Sequence, residues 1–332
     1  MRIQRRTFLA TTAATGVLDL HSFCDAADDE KLTLTPAQQQ RLACTTVCFR
    51  NWFPATRAAG ISDDAQTISI HDVPDFFVRE LGVHQVELWS KHVPSTDEEA
   101  FRGLARSASL AGARILNIQL DERDYSVKGE SGAEVQGLFN LSDASQLQRS
   151  RSVTFAKRWM DLAIQCGASS LRANTGKTAG RPFEMGPTAD SFRQLAEYGQ
   201  QIGIKILVEN HGPNVAEPQR LAELVRRVDH PDCRTLPDFG NVPKQAAESF
   251  RQKMLHALVP TAHLVSAKTQ AFDVNGMHTA YDFETCVKLC EQLGYRGVYS
   301  AEYWNPSQEP FDSLAIARRT LRMIAKHLRS DE

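Results

Sequence analysis

From about residue 43 the chain alternates short apolar runs with longer stretches whose apolar positions recur every three or four residues. The short runs, near 44–49, 83–89, 114–120, 169–174, 204–210, 233–238, 262–268 and 297–303, predict strands. The periodic stretches, near 72–81, 97–112, 146–166, 189–202, 218–229, 244–258, 281–293 and 312–328, predict helices. ELGVHQVEL and QQIGIKILVEN show the repeating unit: a helix, a glycine, then a strand. Gly82, Gly112, Gly167, Gly203 and Gly294 stand at such junctions as helix stops. Strict alternation implies parallel strands with right-handed crossovers. Eight such units predict an α/β protein of the (β/α)8 TIM-barrel type rather than an open doubly wound sheet. An open sheet would carry a glycine-rich phosphate loop after its first strand, and CFRNWFPATR is not one. The longer stretch 121–145 reads as a βα loop over the active end. No composition break calls for a second domain, so one catalytic barrel is expected over 43–332, after a linker over 28–42.

Composition narrows the class. With 332 residues, 42% hydrophobic and 23% charged, the chain has the make-up of a soluble globular protein with a substantial core. A net charge of −2, with basic residues spread along the chain, leaves no electrostatic footprint for nucleic acid. Beyond the N-terminus, no apolar run reaches the roughly 18 residues that suggest a membrane span. The start, MRIQRRTFLATTAATGVL, pairs Arg5 and Arg6 ahead of a small, mildly apolar run, which reads as a Tat-type signal peptide over 1–27. A periplasmic or otherwise exported protein is therefore expected, with a cytoplasmic one as the alternative. The seven cysteines do not form a disulfide framework; Cys44 and Cys48, and Cys286 and Cys290, lack metal-finger spacing and read as small core residues.

In a barrel of this kind the C-terminal strand ends converge on one mouth, where catalytic groups sit. The second strand ends in VELW with Glu87, the third in NIQLD with Gln119 and Asp121, and the fourth in LRANT with Arg172 and Asn174. The fifth ends in LVENH with Glu209 and His211, and the sixth in TLPDFGN with Asp238 and Asn241. The seventh ends in LVSAK with Ser266 and Lys268, and the eighth in YSAEYW with Glu302. Side chains two apart share a strand face, so Glu209 and His211, Arg172 and Asn174, and Ser266 and Lys268 can point into the mouth together. Glu209, Asp238 and Glu302 would repel one another unless a cation neutralised them. One divalent metal is the expected cation; Mn²⁺ or Mg²⁺ suits carboxylates, and Zn²⁺ or Co²⁺ suits an added imidazole. The plain alternative is that each acid pairs with a lysine or arginine.

The stretches HDVPDFFVRELGVHQVELW, SLRANTG, IKILVENHGP, TLPDFGNVP, HLVSAKTQAFD and GYRGVYSAEYW resemble the sugar-phosphate isomerase/epimerase group of the xylose isomerase-like TIM barrels. The resemblance runs from about residue 68 to the C-terminus. It implies a metal held by Glu209, Asp238, the seventh-strand position occupied by Ser266, and Glu302. That seventh-strand ligand is a histidine in the family, so serine is a departure that leaves three firm ligands. Water, substrate or His211 would complete the shell.

The resemblance also implies an isomerase or epimerase acting through an enediolate, in which Glu209 and Glu302 exchange a carbon-bound proton. Lys268 is placed to hold charge on the oxyanion. His211, Arg172, Asn174, Glu87, Asn241 and the ring of Trp304 are candidate contacts for a small-molecule sugar, with His211 favoured as a substrate contact over a ligand. The alternatives are a lyase or hydrolase eliminating the aglycone of 3-keto-glycosides, and a non-catalytic sugar-binding barrel. A homo-oligomer is compatible with either. NTGKTAG fails as a phosphate loop because Leu171 stands where its first glycine should be.

Overall fold

The computed structural model describes residues 32–129, 131–177, 182–305 and 311–329. The expected signal over 1–27 lies outside them. Eight parallel strands form the barrel: β1 (Leu42–Thr45), β2 (Gln85–Trp89), β3 (Arg114–Leu120), β6 (Ser170–Ala173), β7 (Lys205–Glu209), β8 (Cys233–Leu236), β9 (Leu264–Thr269) and β10 (Val298–Tyr303). Their order round the sheet is β8-β7-β6-β3-β2-β1-β10-β9. Between β8 and β9 only two isolated parallel bridges, Thr235 with Ala262 and Asp238 with Ser266, bring the ends of the sheet together. The expected fold, a (β/α)8 barrel, is the one observed.

The remaining strands, β4 (Asp124–Lys128) and β5 (Glu134–Leu138), form an antiparallel hairpin inside the stretch expected to be a loop. A hairpin inserted after a barrel strand breaks the strand–helix rhythm, so this stretch carries no barrel signal. Tyr125 anchors it by donating its hydroxyl to Gln148. A second addition is α1 (Pro36–Arg41) within the expected linker; Thr35 and Gln38 close a capping box around it.

The other helices follow the expected periodicity: α2 (Val73–Phe76), which continues as a π turn to Leu81, α3 (Glu98–Leu110), α4 (Gln146–Gln165), α5 (Met185–Ile202), α6 (Pro218–Val228), α7 (Glu248–Leu258), α8 (Phe283–Gln292) and α9 (Ser313–Ala325). In α6, Leu221, Leu224, Val225 and Val228 fall on one face and are buried. Each such side chain contributes about 1.5–3 kcal/mol through burial. Gly203 ends α5 in the left-handed region at φ 81°, where a side chain would be strained. No helix among the described residues is long and apolar enough to cross a membrane. The six described cysteines are all buried and unpaired, as core residues.

Side-chain alternation stacks the barrel interior in three levels. The lower end is plugged by Ala43, Leu116, Leu207, Leu236 and Leu264, with Val298 packed against them. Next along the strands come Glu87, Asn117, Ser170, Ser266 and Ser300, all fully buried; Ser266 and Ser300 lie two residues past Leu264 and Val298. Above them, at the mouth, lie Arg172, Glu209, Asp238, Lys268 and Glu302. The apolar plug closes the barrel from below, so these charges meet solvent only from the mouth.

Candidate active site

Lys268 is the centre of the mouth. Its ammonium lies 2.6 Å from Asp238 Oδ2 and 2.9 Å from Glu302 Oε1, and it donates to Asn241 Oδ1 at 3.0 Å. Glu302 Oε2 accepts from Gln119 at 3.1 Å and from the Ser266 hydroxyl at 3.2 Å. Asp238 Oδ1 accepts the backbone N–H groups of Gly240 at 2.7 Å and Asn241 at 3.0 Å. Glu209 is held apart from this cluster by its own cation, with Oε2 3.0 Å from Arg172 Nε. Its Oε1 accepts from Asn241 Nδ2 at 3.0 Å, so Asn241 links the two ion-paired groups.

Asn210 builds the turn that carries Asp238. Its amide donates to Asp238 O at 2.9 Å and Asn241 O at 2.7 Å, while its carbonyl accepts Asp238 N at 2.8 Å. Pointing away from Glu209, it acts as a brace between the ends of β7 and β8.

Burial and charge set the ionisation. Burial raises the Asp238 carboxyl to about 7, against the pull of Lys268. Burial also raises Glu209, with Arg172 and Lys268 opposing. At Glu302 burial works upward too, but Lys268 and Gln119 bring the carboxyl below its usual range. Of the two glutamates, Glu209 is thus the more basic. Lys268 is raised by the carboxylates around it despite its burial, so the ammonium is permanent.

The expected sugar contacts divide. His211 follows β7 and shares a cavity of about 350 Å³ with Asn174, Arg123, Leu138 and Phe139, so the hairpin walls this side of the mouth. Burial lowers His211 to about 4, with Arg172 and Lys268 adding to the effect, so the imidazole is neutral near pH 7. Asn174 donates to Asp121 at 3.2 Å, and Trp89 Nε1 reaches the other Asp121 oxygen at 3.2 Å. Trp304 is 39% exposed beside Trp89, with the Arg50 guanidinium 4.6 Å from its ring centroid. These groups form a rim of polar and aromatic character.

Glu87 does not belong to that rim. It is fully buried one level below, accepts from Asn117 at 2.7 Å, and burial raises it to about 7. A larger cavity of about 670 Å³ lies on the outer side of the hairpin, between Ser90, Glu122, Tyr125 and Trp159, away from the charged cluster. Among residues given no role from sequence, Asn117 and Ser170 support Glu87, and Gln119 positions Glu302. The signal for all three was the inward register of β3 and β6.

The donor set can be tested against the expected divalent ion. Glu302 accepts from Gln119 and Ser266 and faces Lys268, Glu209 Oε1 accepts from Asn241, and Asp238 Oδ1 accepts backbone N–H groups, whereas Glu209 Oε2 and Asp238 Oδ2 accept no hydrogen bond and meet Arg172 and Lys268 by charge alone. Among the described residues, no three His, Cys, Asp or Glu side chains converge as a metal-binding group. The Lys268 ammonium between Asp238 and Glu302, and the Arg172 guanidinium on Glu209, put two positive charges where a divalent ion would have to sit.

The family model for xylose isomerase-like TIM barrels matches residues 77–327, which span every barrel strand but β1. The chain belongs to that family. Known structures share the fold at low identity. A xylose isomerase-like TIM barrel protein from Mycobacterium smegmatis, in complex with magnesium, is 18% identical over 89% of this chain and 100% of its own, with a TM-score of 0.58. A D-allulose 3-epimerase from Methylomonas sp. is 14% identical over 90% and 100%, with a TM-score of 0.63. The 3-keto-D-glucoside 4-epimerase of E. coli is 12% identical over 85% and 99%, with a TM-score of 0.58. No curated protein matches the chain.

Proposed function

We propose that this protein is an isomerase or epimerase of a sugar or sugar derivative, working by proton abstraction next to a carbonyl. One observation carries the proposal: two buried glutamates share the mouth with a permanent ammonium, Glu302 on β10 paired to Lys268 directly and Glu209 on β7 linked to it through Asn241. Two strands, β8 and β9, separate them round the barrel, so they address a bound substrate from different sides. The more basic Glu209 takes the carbon-bound proton, the electron pair moves toward the carbonyl oxygen, and Lys268 faces the charge formed there. In an isomerisation Glu209 gives the same proton to the neighbouring carbon; in an epimerisation Glu302 enters protonated and delivers its proton to the opposite face. Arg172 and Asn241 hold Glu209; His211, Asn174 and Trp304 are placed to meet hydroxyls and the ring face. The sugar class draws support from the relatives above, of which two act on sugars by name. An expected Mn²⁺ or Mg²⁺, or else Zn²⁺ or Co²⁺, would act as the electrophile in such chemistry, but two cations, Lys268 and Arg172, already face these carboxylates, and no step here uses one.

The test is a panel of ketoses and 3-keto-glycosides incubated with the protein in D₂O. Deuterium should enter at the carbon beside the carbonyl without fragmentation. Glu209→Gln and Glu302→Gln should each slow exchange by about 10²–10⁴-fold, the usual contribution of a positioned base. Release of an aglycone would replace the epimerase reading with the lyase. Silence across the panel, or near-full exchange by either variant, would refute the two-glutamate scheme.

A further inference from the structure

We propose that the Lys268 ammonium is a built-in substitute for a divalent ion, and that the centre works without a metal. The catalytic part of this inference rests on the enolising reading above; the metal part stands by itself. Lys268 Nζ gathers oxygens from three sources: Asp238 at 2.6 Å, Glu302 at 2.9 Å and Asn241 at 3.0 Å. An ammonium has three donors and no acceptor; here Asn241 accepts a hydrogen bond from it, and Asp238 Oδ2 and Glu302 Oε1 face it at ion-pair distance. With Arg172 on Glu209, two fixed cations answer three carboxylates that would otherwise demand a divalent ion.

The chain is shaped for this lysine. A Cβ on Gly240 would stand 2.9 Å from Lys268 Cδ and 3.0 Å from Cγ, so the absence of a side chain there makes room for the lysine stem. Tyr281 donates its hydroxyl to Lys268 O and fixes the strand end from behind. Ser266, two residues earlier on the same face, supplies a hydroxyl to Glu302 instead of a lone pair to a cation. Asn241 is the one neutral partner, hence the contact that a substrate oxygen would displace most easily. When the C–H bond breaks, the proton goes to Glu209 and the charge to the carbonyl oxygen beside Nζ. A proton then returns to carbon, so the step is redox-neutral and needs no co-reactant.

The experiment measures metal directly. Full-length protein, as purified and after EDTA treatment, is analysed for metal by mass spectrometry, titrated calorimetrically with Mn²⁺ and Mg²⁺, and melted with and without each. The expected result is no stoichiometric ion and a melting temperature unmoved by EDTA or Mn²⁺. S266H/K268A, which clears the cation and adds an imidazole, should take up Mn²⁺ and melt higher in its presence. One tightly held ion per wild-type chain would overturn the proposal. So would a folded S266H/K268A that takes no more Mn²⁺ than wild type. If that variant does not fold, the wild-type measurement alone decides. Silence in the D₂O panel with a metal-free wild type would remove the enolising reading and leave this one standing; an ion in an active wild type would do the reverse.

Discussion

Replacing Lys268 by methionine keeps most of the side-chain length and removes the charge, leaving Asp238 and Glu302 buried with no ammonium between them. Removing one partner of a buried ion pair costs about 3–5 kcal/mol, because the other charge stays desolvated. Lys268 serves two carboxylates whose side chains are 0% and 7% exposed, which puts Lys268→Met toward the upper part of that range. Chains of 150–250 residues lose about 2–4 °C of Tm per kcal/mol, and at this larger size the lower figure gives a fall of roughly 6–10 °C. The assay is urea unfolding followed by circular dichroism, with thermal melts alongside, all in EDTA so that no stray ion takes the vacated place. A second variant separates charge from packing. Lys268→Met with Asp238→Asn removes both members of one pair, and its loss should fall short of the sum of the single losses by about 1–3 kcal/mol. Additive losses, or a Tm fall under about 2 °C for Lys268→Met, would show that the ammonium does not neutralise these acids.

Elsewhere in the fold, Arg41 makes a two-pronged pair with Glu291 at 2.7 and 3.0 Å, and Tyr299 donates to the same carboxylate at 2.8 Å. Burial opposes ionisation of Glu291, but Arg41 and Tyr299 outweigh it and hold the carboxyl below its usual range. Its stabilisation is therefore present above the unfolded carboxyl value of about 4.3 and is lost as pH falls through the lower folded value. Glu291→Gln should cost about 3–5 kcal/mol at pH 7, and the gap from wild type should close in acid melts; a gap that widened with acid would contradict this. Within α5, a Cβ on Gly199 would collide with Ile204 O and stand 2.9 Å from Met160 Cε, whereas one on Gly186 meets nothing within 4 Å. Gly199→Ala should lose about 1–3 kcal/mol and Gly186→Ala should be neutral or gain up to about 1 kcal/mol, compared by urea midpoints. Asn210→Ala gives up three hydrogen bonds at the turn carrying Asp238 and should cost about 1–3 kcal/mol; unchanged stability would show that the turn holds without its brace.

The barrel was legible because its signals are local and repeated. A helix stop at Gly203 and an apolar run from Ile206 to Val208 are properties of neighbouring residues, and the eightfold recurrence removes the ambiguity of any single one. Register also carried far. Because side chains alternate, Glu209, Asp238, Ser266, Lys268 and Glu302 could be placed at one mouth before any distance was known. What alternation cannot supply is depth and pairing. Glu87 looked like a rim residue at the end of its strand, but a register shift at Val86/Glu87 and the hydrogen bond from Asn117 belong to a level beneath. Whether three acids recruit a metal or a lysine depends on whether one side chain can thread past another. Gly240 gives that passage, and its role is visible only once β8 and β9 lie side by side. The hairpin of β4 and β5 went unseen for a related reason: its strands pair with each other and not with the barrel.

The barrel wall has one thin join. Between β8 and β9 the backbone contributes only the bridges at Thr235–Ala262 and Asp238–Ser266, flanked by the N–H groups of His263, Ser266 and Phe239. The ties that reinforce it above are Lys268 to Asp238, Lys268 to Asn241, and Gln270 to Gly240 at 3.1 Å. The groups assigned to chemistry are therefore also the stitching of the hoop. Selection acting on Lys268 for the proposed chemistry would act at the same time on the mechanical closure of the cylinder, and a chain that lost one would loosen the other.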